Sequence, residues 1–102
     1  MLYSDEILYD VREVLWKIKE RGGMAPNSFL VSEYKRLQGS WAGIVLNVAL
    51  MAMGKKTRVD DSKYPLSEAQ YATLVERAKQ QNGSILHEIA QLRAEKGKNE
   101  QK

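Results

Sequence analysis

Few side chains in this 102-residue chain are placed to do covalent chemistry. The single histidine, His87, has Glu88 beside it but no second metal ligand at a usable spacing. As a general base it would need a nucleophile and an orienting partner, and spacing supplies neither. Asp60 and Asp61 are adjacent, yet two carboxylates fall short of a dedicated cation cage, and solvation within a charged loop accounts for them. Cysteine is absent, which removes disulfides, zinc–thiolate centres and thiol nucleophiles together. The glycines are scattered where helix ends are expected, without the grouping that cradles phosphate. The sequence therefore reads as a non-enzyme without cofactor or metal.

Charge is the more informative chemistry. The formal net charge of +3 is mild, but its distribution is uneven. Between Glu33 and Arg58 stand Lys35, Arg36, Lys55, Lys56 and Arg58 against the one acid Glu33. Cations of this density are suited to phosphate, so the five are the candidate nucleic-acid-binding residues. Structure offers another account: Lys55 and Lys56 follow the negative end of a helix, and Lys35 and Arg36 fall on a solvent-facing side.

The element between these cations is SWAGIVLNVALMAM, residues 40–53, the least polar run of the chain. Its length and its Ala, Leu and Met content predict a helix. At 100° per residue Ala42, Val45, Ala49 and Ala52 share one side, and Gly43, Asn47, Leu50 and Met51 the other. A helix apolar all round is buried in a bundle or at an interface. Gly43, Asn47, Leu50 and Met51 are accordingly the candidate interface, for a second copy of the chain or another protein. The run is too short to span a membrane, which takes about 20 apolar residues.

The remaining elements are organised around that helix. Ser4, followed by Asp5 and Glu6, predicts the start of an opening helix, with Tyr3 and Leu8 as a hydrophobic staple. Ile7, Leu8, Val11, Val14, Leu15 and Ile18 form its core face, Glu13 and Lys17 make an i,i+4 pair, and Gly22-Gly23 ends it. Asn27 or Ser28 caps a second helix with Leu30, Tyr34 and Leu37 on one stripe, a short strand at Phe29–Val31 being the competing reading. Residues 54–65, GKKTRVDDSKYP, predict a long mobile loop. Ser67 and Gln70 match a capping box, and Tyr71, Leu74, Val75 and Ala78 follow as a buried stripe. Asn82-Gly83 suits a left-handed turn, Ser84 caps a last helix, and Ile85, Leu86, Ile89 and Leu92 face the core.

Two segments fit the spacing of a helix-turn-helix. In the first, residues 31–50, the second helix would be the apolar run, which lacks donors for bases or phosphates. In the second, residues 75–94, the second helix exposes His87, Glu88, Gln91, Arg93 and, just beyond, Lys96. The span from Thr57 to Glu95, with LSEAQYATLVERAKQQ and the NGS turn, loosely resembles a ribbon-helix-helix unit. Its would-be strand, VDDSKYP, carries two acids and a proline, and an antiparallel helical hairpin is the simpler expectation.

The expected architecture is all-α: one domain over residues 1–97, a bundle of about five short helices around residues 40–53, and a disordered polar tail at 98–102. MLYSDEILYD has acids where a secretory signal has basic residues, so the expected location is cytoplasmic. The expected function is a small nucleic-acid-binding regulatory protein, the alternative being a protein-interaction, adaptor or inhibitor module that docks through an apolar helix face. A symmetric homodimer is expected, to cover a central helix that is apolar on every side.

Overall fold

The computed structural model describes residues 4–38, 41–57 and 59–100, with side chains to residue 96. It is a bundle of five helices: α1 (Ser4–Glu20), α2 (Asn27–Leu37), α3 (Ala42–Ala52), α4 (Glu68–Gln81) and α5 (Gly83–Glu100). Among the described residues there is no strand, so neither the Phe29–Val31 strand nor a ribbon before α4 forms. No helix among them is long and apolar enough to cross a membrane.

α1 follows its periodicity, and Ile7, Leu8, Val11, Val14, Leu15 and Ile18 are all buried. Its end is a Schellman motif: Gly23 N–H donates to Ile18 O and Gly22 N–H to Lys19 O, with both glycines at positive φ. Tyr3, the outer half of the staple, lies outside the described residues. Lys17 turns away from the expected Glu13 pair and reaches Glu33 on α2 instead.

α2 starts one step earlier than expected. Pro26 occupies the N-cap in extended geometry without a side-chain bond, so Asn27 is already helical. Phe29, Leu30 and Glu33 are its buried residues, while Tyr34 and Leu37 pack at the edge of the core.

α3 is the hub, packed against α1, α2 and α4. It spans Ala42–Ala52 rather than 40–53, with Trp41 at the N-cap; the expected cap, Ser40, lies outside the described residues. Every residue from Ala42 to Leu50 is buried, and each fully buried Val, Leu or Ile contributes about 1.5–3 kcal/mol. The cover that the apolar composition asks of a second subunit is supplied within one chain. The original physical reason for a dimer therefore lapses.

The capping box of α4 forms as written: Gln70 N–H donates to Ser67 Oγ, and Ser67 N–H to Gln70 Oε1. At the α4–α5 junction the expectation fails. Asn82 is not left-handed, with φ −124°, and Gly83 and Ser84 lie inside α5 rather than in a turn and a cap. Asn82 serves both helices, its N–H donating to Ala78 O while its carbonyl accepts from Leu86 N–H. α5 also runs further than expected, its backbone helical through Glu100 and so into the stretch read as a disordered tail. Ala94, Glu95 and Lys96 are strong helix formers, and propagation costs little once a helix exists.

Candidate functional site

The four residues proposed as an interface on α3 do not form a free surface. Gly43, Asn47 and Leu50 are buried, and only Met51 is partly open. The chain's own 54–66 loop takes the position that a partner would have needed. Asn47 Nδ2 donates to Val59 O at 2.9 Å, and Val59 N–H donates back to Asn47 Oδ1 at 3.2 Å. The same Nδ2 lies 3.4 Å from the Tyr71 hydroxyl, which itself donates to Asp61 Oδ2. Burial and that bond to Asp61 push Tyr71 up to about 12. One amide thus pins the loop to α3 and links it to α4. Gly43 makes the approach possible: a Cβ there would collide with the Asp60 carbonyl oxygen, so the loop backbone lies directly on the helix.

The five candidate cations separate into different settings. Arg36 is committed internally, since its Nε and Nη2 each donate at 3.0 Å to the two oxygens of Glu33, whose Oε2 also accepts from Lys17 at 3.1 Å. Burial acts to raise the Glu33 carboxyl, but hydrogen bonds from Arg36 and Lys17 hold it below its ordinary value. Arg58 lies outside the described residues. Lys35 borders a shallow concavity with Tyr34, Gln38 and Lys63. Lys55 and Lys56 border another, at the C-terminal end of α3. The two sets do not meet in one pocket.

The concavity at the end of α3 has about 430 Å³ and is lined by Ala52, Met53, Gly54, Lys55, Lys56, Leu86, Ile89, Ala90 and Arg93. Among the described residues of its lining three are cations and none is a carboxylate. Gly54, at φ +77°, lets the chain turn there: Lys55 N–H donates to Leu50 O and Gly54 N–H to Met51 O, a second Schellman motif. Arg93 packs on the Gly22-Gly23 turn, where a Cβ at Gly23 would lie 3.1 Å from Arg93 Cγ. Its Nη1 is buried without a hydrogen-bond partner among the described residues. Sequence reading placed Arg93 only among the exposed residues of α5. Its signal is positional: Leu86, Ile89, Ala90 and Arg93 follow i, i+3, i+4, i+7, so a guanidinium ends an apolar stripe.

Two further ion pairs join α1 to the C-terminal helices. Lys19 pairs with Glu88 at 3.2 Å and Arg77 with Asp5 at 3.2 Å. His87 is exposed on α5, and among the described residues no group of His, Asp or Glu gathers as metal ligands. Asp60, paired with Asp61 in the sequence, is held below its ordinary value by the backbone N–H and hydroxyl of Ser62, a local turn. Compared with protein-family models, curated proteins and solved structures, the chain matches none.

Proposed function

We propose that this chain is a small non-enzymatic nucleic-acid-binding regulatory protein. The observation that carries the reading is the segregation of its cations. Arg36, Lys17, Lys19 and Arg77 meet carboxylates of the same chain, whereas Lys56 and Arg93 border a concavity in which no described residue of the lining is a carboxylate. Phosphate is the counter-charge suited to it. Lys35 and Lys63 lie near Asp60, and Lys35 adds a more distant positive charge. Relative to the sequence-based set of five, Arg36 drops out as a contact and Arg93 enters.

The test is a salt titration of binding to DNA and to RNA. Displacing counterions from about three to five phosphates gives a log–log slope near −3 to −4.5 on duplex DNA. Lys56→Glu and Lys35→Glu should each lower the slope by about 1. Arg36→Ala should leave it unchanged, because Glu33 already neutralises that guanidinium. Absence of binding at low salt, or insensitivity to salt, rejects the reading.

A protein-interaction, adaptor or inhibitor role is the second reading, and one observation favours it. Leu30, Val31, Tyr34 and Val59 line a groove of about 610 Å³ beside α2, with Lys35 and Asp60 on its border, and Val31 is 55% exposed. The apolar helix face concerned is on α2, not α3. Binding of a defined protein that Val31→Glu abolishes, by a chain that ignores DNA and RNA, would establish this reading over the first.

A further inference from the structure

The concavity at the end of α3 has more in it than cations. Met53, Leu86 and Ile89 give it apolar lining beside its cations, with Arg93 ending the Leu86–Ile89 stripe of α5. Its volume of about 430 Å³ falls in the roughly 300–1,000 Å³ range of small-molecule sites. A flat phosphate-tracking surface needs no such lining. A ligand that joins a phosphoryl group to a planar, weakly polar body uses both halves.

The guanidinium is the second, independent mark of a ligand. Arg93 Nη1 is a buried donor without an acceptor among the described residues, a situation that protein interiors avoid. Arginine presents a planar fork of donors that matches two phosphate oxygens, and lysines add point charge.

From these observations we infer that the concavity is a nucleotide site, with Lys56 and Arg93 holding a 5′-phosphate and Met53, Leu86 and Ile89 meeting the base. The inference rests on the phosphate-binding reading above and narrows it to a terminal or free nucleotide. Two sources share this chemistry, a free nucleoside monophosphate and the 5′-phosphorylated end of a strand.

The experiment is an amide-resolved NMR titration of the intact chain with adenosine 5′-monophosphate, adenosine, inorganic phosphate, and an oligonucleotide with or without a 5′-phosphate. The monophosphate should shift the amides of residues 54–56 and 86–93. Adenosine and inorganic phosphate should each bind about tenfold or more weakly, since each lacks half of the contacts. Arg93→Met should weaken the monophosphate about tenfold or more, and so should the exposed Lys56→Glu, which keeps the test valid if Arg93→Met misfolds. Preference for the phosphorylated strand over the monophosphate identifies a strand end as the source, and the reverse order identifies the free nucleotide. Monophosphate shifts elsewhere on the chain, equal binding of adenosine, or wild-type affinity in Lys56→Glu overturns the inference. Salt-dependent binding of oligonucleotides without shifts at the concavity would overturn this site alone. A monophosphate bound here by a chain that ignores strands would overturn the nucleic-acid reading alone.

Discussion

Two polar regions border the same core and are treated differently by the chain. On the Asn47 side, the amide, the Val59 backbone, the Tyr71 hydroxyl and the Asp61 carboxylate satisfy one another. On the Arg93 side, a buried guanidinium nitrogen has no acceptor among the described residues, and none of the described residues lining the concavity is a carboxylate. The Glu33 cluster belongs with the first kind, because Lys17 and Arg36 close on a carboxylate that is 4% exposed. The contrast separates polar groups that satisfy one another within the fold from a donor that no described residue satisfies. Stability and binding should therefore respond to opposite sets of substitutions.

The largest loss of stability is expected on the Asn47 side. Asn47→Ala removes the amide and leaves the Val59 N–H and C=O without their partners, an expected destabilisation of about 2–4 kcal/mol, held down by the loop's ability to lift into water. Gly43→Ala acts on the same loop through contact with the Asp60 backbone and should cost about 2–3 kcal/mol. Because either change undocks one segment, the double variant should cost well under the sum. Chemical denaturation of the four proteins in this cycle measures it. Additive losses would show that the amide and the glycine do not act through one docked loop.

The same contrast explains what could be read in advance. Features whose partners are near in sequence were legible: the core face of α1, the Ser67–Gln70 capping box, and the identity of α3 as the hub. Asn47 stands out as the polar residue of an apolar run, which marks it as a candidate interface residue, but its partner is Val59, supplied by a loop whose composition predicts mobility. Glu33 counted only as the lone acid among cations, although its burial and its pairing with Lys17 of α1 decide what Arg36 does. The two proposed uses of Lys17 differ in the same way, since Glu13 is one turn away and Glu33 is across a helix–helix contact. At Asn82-Gly83, composition pointed to a turn, but burial of Asn82 between two nearly continuous helices overrode it. Periodicity shows which face is buried, but not which distant polar group meets it there.

A smaller stability effect is expected at Glu33. Its folded-state value is depressed, so it contributes stability above its ordinary value of 4.5, and that contribution falls away as pH drops through the lower folded value. Lys17 and Arg36 are partly exposed, and solvent screening reduces what each ion pair is worth. Glu33→Gln should lose about 1–2 kcal/mol at pH 7 and much less at pH 3. Melting curves across that range test it, and an equal loss at both pH values would assign the effect to packing rather than charge.

The smallest stability effect is expected where the binding effect is greatest. Arg93→Met keeps an aliphatic stem beside Gly23 and Leu92 while removing a buried donor that lacks a partner among the described residues, so the change in unfolding free energy should lie within about 1 kcal/mol of zero and can be favourable. Lys56→Glu, on an exposed side chain, should be within about 0.5 kcal/mol of zero. Denaturation midpoints of both variants measure this in the absence of ligand. A loss of 2 kcal/mol or more in Arg93→Met would place this guanidinium with Asn47 and Glu33, among the groups that hold the fold. A neutral result combined with lost nucleotide affinity would make the concavity a site in which internal satisfaction was given up for an external partner.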